Sequence, residues 1–210
     1  MTDETLGFIH RFEPGSDTAH PLLLLHGTGG DETDLLPLGR MLAPNAPLLS
    51  PRGAVSENGM PRFFRRLAEG VFDEADLRRR TQDLAGFVAA ARDRYGSGAP
   101  LALGFSNGAN IAAALLMLRP EILAGAVLLR PMVPFADPPV AELAGKPVLI
   151  LSGAMDPIVP VENARRLAAQ LTAAGAQVEH RILPAGHGLS QAEVSLAAGW
   201  LETVVRPRAA

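Results

Sequence analysis

Residues 101–108, LALGFSNG, carry the strongest indication of the fold. The first five of these residues form a short apolar run typical of a buried strand, and residues 107–118 form an alanine-rich run typical of a helix. The pattern G-x-S-x-G therefore places Ser106 in a sharp turn between a strand and a helix. Such a turn strains the backbone of the serine and projects its hydroxyl from the sheet edge, and glycines on either side leave room for it.

The pentapeptide alone is a weak signal, because a Gly-Ser turn can also serve only to cap a helix. Its context strengthens the signal, since the chemistry requires the strand before Ser106 and the helix after it. Asn107 begins that helix, whose free N–H groups favour a developing negative charge. We therefore predict that Ser106 is the nucleophile of a serine hydrolase.

Apolar runs and amphipathic stretches alternate along the rest of the chain. Strands that are apolar throughout and separated by helices indicate a parallel sheet covered on both faces, so the predicted fold is α/β and doubly wound. An alternating run at residues 8–12 is predicted to be an antiparallel edge strand. The predicted core strands are residues 22–25, 46–50, 101–105, 124–129, 147–151 and 178–183, and the predicted helices are residues 31–42, 74–95, 107–118, 161–174 and 189–205.

The length of 210 residues suits a single domain, residues 1–210. Two stretches, residues 53–73 and 131–145, are predicted to be irregular, and neither is long enough to form a second domain. In sheets of this kind, the loops at the carboxyl ends of the strands bind ligands.

Composition excludes several classes of function. The chain has no cysteine, which rules out disulfides, thiolate metal sites and a cysteine nucleophile. Its net charge of −3 argues against nucleic acid as a partner. The acidic residues 1–5 lack the apolar core of a secretory signal and no run is long enough to span a bilayer, so we expect a cytoplasmic protein without a membrane partner. The tightest basic cluster, Arg62, Arg65 and Arg66, is predicted to be a solvated face paired with nearby acids.

A serine nucleophile needs a base, and His187 is the strongest candidate. It lies in residues 184–188, PAGHG, after the last predicted strand and before the last helix. The other histidines have simpler explanations: His10 and His20 precede the core strands, His26 sits in a His-Gly turn that ties a loop together, and His180 alternates with apolar residues within a strand.

The base needs an acid, for which Asp156 is the best candidate. It follows the fifth core strand, and Pro157 restricts the backbone directly after it. The rival is Asp137, which is more simply a turn residue in a proline-rich loop. The resulting order of serine, aspartate and histidine along the chain is the order that the α/β-hydrolase fold uses.

An oxyanion hole should complete the site. One donor is expected to be the backbone N–H of Asn107, and the other should come from residues 26–32, HGTGGDE, after the first core strand. Thr28 is the predicted second donor. This glycine-rich loop could instead suggest phosphate binding, but it lacks the lysine and the spacing of a P-loop.

Four segments together resemble a known family: residues 25–30, LHGTGG; 104–108, GFSNG; 152–160, SGAMDPIVP; and 186–187, GH. They are similar to small bacterial serine esterases of the phospholipase/carboxylesterase family of α/β hydrolases, which are relatives of acyl-protein thioesterases. The resemblance covers nearly the whole chain. It implies an α/β-hydrolase fold with minimal or no lid, the triad and oxyanion roles given above, and activity on short acyl esters.

Two departures from the family pattern weaken the hypothesis of a thioesterase that acts on long acyl chains. Asn107 stands where many members carry glutamine, and Thr28 stands where thioesterase relatives usually carry an apolar residue. Both positions contribute backbone donors, so the oxyanion hole is expected to be retained.

Dimers occur in this family, but no segment of the chain indicates an interface. The sequence therefore leaves open whether the chain forms a homodimer.

The predicted function is a serine carboxylesterase that cleaves small or short-acyl esters through an acyl-enzyme, with no metal and no cofactor. The alternatives are a thioesterase or lysophospholipase on the same triad, and a ligand-binding protein that keeps the fold without catalysis. The short loop at residues 131–145 predicts an open, shallow site. Six apolar residues are candidates for lining the substrate pocket, although each is equally well explained as a residue of the hydrophobic core. They are Phe63, Phe64, Met132, Phe135, Ile158 and Leu189.

Overall fold

The computed structural model describes residues 6–16 and 20–205, and its centre is a seven-stranded sheet. The acidic segment at residues 1–5 lies outside the described residues. The strands of the sheet are β1 (His10–Glu13), β2 (Leu22–Leu25), β3 (Leu48–Pro51), β8 (Leu101–Phe105), β9 (Gly125–Leu129), β10 (Pro147–Gly153) and β11 (Gln177–Leu183). Four short strands that form separate hairpins lie between β3 and β8: β4 (Val55–Glu57), β5 (Met60–Arg62), β6 (Arg66–Ala68) and β7 (Val71–Phe72).

The strand order across the sheet is β1-β3-β2-β8-β9-β10-β11. β1 pairs antiparallel with β3 at one edge, as the alternating run predicted, and the other pairs are parallel. Because parallel strands need crossover connections, helices lie between them. These are α1 (Leu36–Leu42), α2 (Glu74–Tyr95), α3 (Asn107–Leu118) and α4 (Val161–Ala173), while a loop joins β9 to β10 and α5 (Gln191–Val205) follows β11.

Two apolar cores cover the two faces of the sheet. Successive residues of one strand alternate between them: Leu23 and Leu25 of β2 pack with α2, α3 and α4, whereas Leu22 and Leu24 pack with α1 and α5. A sheet buried on both faces requires strands that are apolar at every position, which is why β2 reads as four leucines in a row. The predicted α/β sheet with helices on both faces is confirmed.

Local capping determines where the helices begin and end. Asp73 accepts a hydrogen bond from the Asp76 N–H at the start of α2, and Gly96 adopts the left-handed conformation at its end, so the predicted bounds of this helix are confirmed. The prediction for residues 31–42 began too early. The Asp31 side chain accepts from the N–H and the hydroxyl of Thr33, which holds the chain in turns until α1 begins at Leu36.

Two other predicted elements need correction, besides small shifts of the strands predicted at 8–12 and 46–50, which span His10–Glu13 and Leu48–Pro51. The last helix begins at Gln191 rather than at residue 189, because Ser190 and Glu193 form a capping box in which the Glu193 carboxylate accepts from the Ser190 N–H. The stretch 53–73 is not irregular, since it folds into the hairpins β4–β5 and β6–β7. Within the described part of the chain, no helix is both long and apolar enough to cross a bilayer.

Candidate active site

Ser106 occupies the sharp turn between β8 and α3. Its φ of 50° and ψ of −112° are strained for a residue with a side chain, as the G-x-S-x-G pattern predicted. A Cβ atom at Gly104 would lie 2.6 Å from the Gly108 carbonyl oxygen, and a Cβ at Gly108 would lie 1.9 Å from the Leu25 carbonyl oxygen. The two glycines are therefore required by close backbone packing on both sides of the turn.

Three side chains meet at the carboxyl edge of the sheet. Ser106 follows β8, Asp156 follows β10 and His187 follows β11, so the parallel strands deliver all three to the same edge. His187 Nε2 lies 3.1 Å from Ser106 Oγ, and His187 Nδ1 lies 2.8 Å from Asp156 Oδ2. Because an ionised carboxylate only accepts, Nδ1 donates to Asp156 and Nε2 is left to accept the serine proton.

The carboxylate of Asp156 is buried and held by hydrogen bonds. Its Oδ1 accepts from the backbone N–H groups of Ile158, at 2.8 Å, and Val159, at 3.0 Å. Burial opposes ionisation, but these two bonds and the bond from His187 outweigh it and lower the pKa of Asp156. The rival Asp137 lies exposed in the loop after β9.

The remaining histidines lie away from this group. His26 is buried, with Nδ1 2.6 Å from the Gly27 carbonyl oxygen and Nε2 accepting from the Gly53 N–H, so its predicted role in tying the loop together is confirmed. Burial lowers its pKa. His180 lies 2.9 Å from the Ser152 hydroxyl, within the sheet.

The backbone N–H groups of Thr28 and Asn107 are both unpaired among the described residues, and both residues line one cavity with Ser106. Two bonds from β5 hold the Thr28 loop. The Arg62 Nη1 donates to Thr28 Oγ1 at 2.7 Å, and the Gly29 N–H donates to the Pro61 carbonyl oxygen at 3.0 Å. The arrangement offers two donors to a negatively charged oxygen formed next to Ser106.

The basic cluster is only partly the solvated face that the sequence predicted. Arg65 fits, since its side chain is 61% exposed and pairs with Asp73. Arg62 is only 3% exposed and pairs with Glu57, whose carboxylate also pairs with Arg66. The prediction was wrong for Arg62 because the hairpin β4–β5 folds this side chain beneath the Thr28 loop.

The cavity beside Ser106 encloses about 40 Å³. Of the six predicted pocket residues, Met132 and Ile158 line it. The residues that line it are Thr28, Arg62, Arg66, Glu69, Gly70, Phe72, Ser106, Asn107, Asn110, Met132, Ile158 and Val159.

The other four pocket candidates lie in the core. Phe63 packs against His26 with tilted rings whose centroids lie 4.7 Å apart, and Phe64 packs edge-on against Phe72. Phe135 is buried beneath the Arg78 guanidinium, 4.3 Å from its ring centroid. Leu189 packs between α1 and α5. The pocket prediction was wrong for these residues because hydrophobicity alone does not distinguish a cavity wall from a core.

Arg130 is a residue near the site that the sequence reasoning missed. It directly follows β9, is fully buried, and forms an ion pair with the buried Glu193. The spacing Ser190-x-x-Glu193 is a capping-box signal that could have marked the glutamate. Nothing local to Arg130 predicts its burial, since its partner is 63 residues away along the chain.

A larger groove lies at the opposite end of the sheet. It encloses about 770 Å³ between the starts of β10 and β11 and the side of α5, with Trp200 in its wall. None of the residues that line it is a nucleophile paired with a base. The smaller cavity beside Ser106 is therefore the better candidate for chemistry.

Comparisons with known proteins identify the family of the chain. A model of the phospholipase/carboxylesterase family matches residues 11–205. The chain is 46% identical over 198 residues to the "Putative hydrolase MhqD" of Bacillus subtilis (strain 168), which covers 93% of this chain and 98% of that protein. It is 48% identical to the Bacillus cereus carboxylesterase, with a TM-score of 0.92 and 94% of each chain covered. It is 32% identical to the structure of YahD with malic acid, with a TM-score of 0.89 and coverage of 97% and 100%.

The fold is thus that of an α/β hydrolase, with the predicted mostly parallel sheet and helices on both faces. The chain belongs to the phospholipase/carboxylesterase family. The resemblance noted from the four sequence segments is confirmed at the level of family and fold, and the relatives indicate a hydrolase of the carboxylesterase type.

Proposed function

We propose that this chain is a serine carboxylesterase that cleaves small carboxylic esters, with Ser106 as nucleophile, His187 as base and Asp156 as the acid that orients it. The observation that carries the proposal is the hydrogen-bonded line from Asp156 through His187 to Ser106, at 2.8 and 3.1 Å. It ends in a cavity that is also lined by two residues with unpaired backbone N–H groups, Thr28 and Asn107.

The proposed reaction proceeds in two halves. His187 Nε2 takes the proton of Ser106 as Oγ attacks the ester carbonyl carbon, and the carbonyl oxygen becomes an oxyanion bound by the N–H groups of Thr28 and Asn107. The tetrahedral intermediate expels the alcohol, which receives the proton from His187. Water then attacks the acyl-enzyme by the same route and releases the acid. These steps use no metal and no organic cofactor.

The cavity favours small, polar acyl groups. Its volume of about 40 Å³ is far below the roughly 300–1,000 Å³ of pockets that enclose drug-sized ligands. Its wall carries the charged side chains of Arg62, Arg66 and Glu69 beside Met132 and Ile158. The relative YahD was solved with malic acid, itself a small polar carboxylic acid. These features support short-acyl esters over the long chains of a lysophospholipase or acyl-protein thioesterase.

Replacing the nucleophile tests the proposal. Ser106→Ala should remain folded and lose hydrolysis of p-nitrophenyl acetate by on the order of 10⁶-fold in kcat, since loss of a triad serine removes the covalent route. Ser195→Ala is the matched control, because Ser195 is an exposed serine on α5. Wild-type protein and this control should retain full activity. Substantial turnover by pure Ser106→Ala would refute the assignment.

A fluorophosphonate probe distinguishes the enzyme from a ligand-binding protein that keeps the fold. The probe forms a covalent bond only with an activated serine, so the proposal requires labelling of wild type at Ser106 and none of Ser106→Ala. A folded wild-type protein that never labels would favour the ligand-binding alternative.

Comparing turnover of an oxyester and a thioester with the same acyl group tests the thioesterase alternative. Cytoplasmic location and oligomeric state stay predictions.

A further inference from the structure

Arg130 lies at the centre of the carboxyl edge of the sheet. It directly follows β9, between the strands that end at Ser106 and at Asp156. Its φ of 57° is in the left-handed region, and its N–H donates to the Leu151 carbonyl oxygen at 2.9 Å. A strained backbone with a fully buried side chain persists only where the surroundings hold it firmly.

The guanidinium of Arg130 holds the backbone on both sides of His187. Its Nε donates to the Gly186 carbonyl oxygen at 2.8 Å, and its Nη2 donates to the Gly188 carbonyl oxygen at 3.0 Å. These two carbonyls flank the histidine in the chain. A planar, rigid donor group that binds both restricts the rotation of the segment that carries the imidazole.

Backbone hydrogen bonds do not fix the His187 segment. Within the described part of the chain, residues 186–189 take part in no backbone–backbone hydrogen bond. A Cβ atom at Gly188 would have no neighbour within 4 Å, and one at Gly186 would have its nearest neighbour at 3.9 Å. The Gly186 carbonyl lies against Gly153, where a Cβ atom would meet it at 2.5 Å, and the His187 ring packs against Phe105 with ring centroids 5.3 Å apart. Arg130 adds the two hydrogen bonds that hold the backbone directly before and after His187.

A buried carboxylate balances the charge of Arg130. The Glu193 Oε1 pairs with Arg130 Nη1, while Oε2 accepts from the N–H and the hydroxyl of Ser190, each at 2.8 Å. Burial opposes ionisation of Glu193, but the bonds from Arg130 and Ser190 outweigh it and lower its pKa. The ion pair therefore links the start of α5 to the segment that carries His187.

Arg130 also places a positive charge beside the acid of the triad without taking its hydrogen bond. Its Nε lies 3.6 Å from Asp156 Oδ2, beyond hydrogen-bond distance, and that same oxygen accepts from His187 Nδ1. The Nε–H is instead used by the Gly186 carbonyl. Asp156 thus keeps its lone pair for the imidazole.

We propose that Arg130 is a positioning residue, which holds His187 between Ser106 and Asp156 through the two carbonyls that flank the histidine, with Glu193 as its buried counter-ion. The inference rests on the proposed function of the triad. A small displacement of His187 weakens proton transfer from Ser106, so the role belongs to the chemical step rather than to substrate binding.

Arg130→Met tests the inference, because methionine keeps an apolar stem and removes all the donors. We expect kcat for p-nitrophenyl acetate to fall by about 10²-fold, as misplacement of a catalytic group by about 1 Å does. KM should stay within about threefold, and the rate of fluorophosphonate labelling at Ser106 should fall in parallel with kcat. Arg130→Lys keeps the charge and can reach one carbonyl, so it should recover part of the loss.

Leu84→Ala serves as the control for lost stability, since Leu84 is buried on α2. It should lower the melting temperature yet leave kcat unchanged well below the transition. If Arg130→Met does not fold, Glu193→Gln replaces it, and this variant should lower kcat at constant KM.

Full kcat in folded Arg130→Met, or in Glu193→Gln where that variant is used, would overturn the inference. So would a loss of activity in Arg130→Met that appears only near its melting transition, as is expected for Leu84→Ala. Wild-type protein that fails to label at Ser106 would instead overturn the proposed function, so the two failures are distinguishable.

Discussion

At the scale of single residues, the strained Ser106 is held by backbone contacts on every side. Its N–H donates to the Leu129 carbonyl oxygen at 2.8 Å, and its carbonyl accepts from the Asn110 N–H at 3.0 Å. A left-handed conformation of this kind costs about 1–3 kcal/mol. The hydrogen bonds at the neighbouring strand and at the start of α3 offset that cost.

A substitution at Gly108 should show how tightly the turn is packed. A Cβ atom there would lie 1.9 Å from the Leu25 carbonyl oxygen, so Gly108→Ala forces β2 and α3 apart. We expect it to lower the free energy of unfolding by about 3 kcal/mol and to abolish activity. Urea unfolding and esterase assays measure both effects.

Gly86→Ala is the matched control for that substitution. Gly86 is an exposed residue within α2, and a Cβ there has no neighbour within 4 Å. Alanine should therefore raise the free energy of unfolding by about 0.5–1 kcal/mol. Equal effects of the two substitutions would contradict the packing account.

At the scale of elements, the hairpin β4–β5 supports the loop that carries Thr28, a proposed oxyanion donor. Arg62 stands at the end of β5 and donates to the Thr28 hydroxyl, while Pro61 accepts from the Gly29 N–H. A second bond joins the same region to the other proposed donor, because the Asn107 side chain accepts from the Phe63 N–H at 2.8 Å. One short hairpin segment thus fixes the loops of both proposed oxyanion donors.

Removing the Arg62 guanidinium should therefore impair catalysis more than binding. We expect Arg62→Met to lower kcat by on the order of 10²-fold, close to the loss of one oxyanion donor. Steady-state kinetics on p-nitrophenyl acetate measures it. Arg65→Met, which removes an exposed pair with Asp73, should leave kcat unchanged and change stability by less than about 0.5 kcal/mol. The element-scale account fails if Arg62→Met keeps wild-type kcat.

At the scale of the whole molecule, the buried His26 links folding to pH. Burial lowers its pKa in the folded state, whereas the unfolded chain takes up a proton below about pH 6.5. Stability from His26 is therefore complete above that pH and is lost as pH falls toward the folded pKa. The pKa of His180 is lowered in the same direction by its burial and by Arg165.

We expect the free energy of unfolding to decline between pH 7 and pH 5.5, before most carboxylates titrate. Urea titrations at several pH values measure the slope. His26→Gln should have a smaller slope than wild type, whatever its stability at pH 7, and His26→Gln combined with His180→Gln should have the smallest. An unchanged slope in both variants would exclude this linkage.

The shape of the molecule around the site sets its substrate range. Because the cavity beside Ser106 is small, short acyl groups should fit best. A series of p-nitrophenyl esters from two to twelve carbons measures this preference. We expect kcat/KM to be highest for the shortest esters. Highest kcat/KM on the longest would contradict the proposed substrate class.

Local sequence patterns were sufficient to predict much of the fold and the candidate triad. These patterns act over a few residues and can be recognised in the sequence. They are the strand and helix periodicity, the capping of α2 and the glycines around Ser106. The alternation of strands and helices then places the ends of β8, β10 and β11 at one edge. That is why the order of Ser106, Asp156 and His187 along the chain was enough to predict their meeting.

The burial of individual side chains and the pairing of residues far apart in the chain depend on the tertiary structure. Sequence patterns alone predicted the main strands and helices, the turn at Ser106 and the loops that carry the proposed triad, but not the hairpins β4–β5 and β6–β7. They did not separate Met132, at the cavity, from Phe135, in the core, because both are apolar side chains in one irregular loop. Nor did they reveal Arg130, whose role depends on carbonyls and a carboxylate 56 to 63 residues away along the chain. Such contacts exist only once the sheet has brought distant segments together.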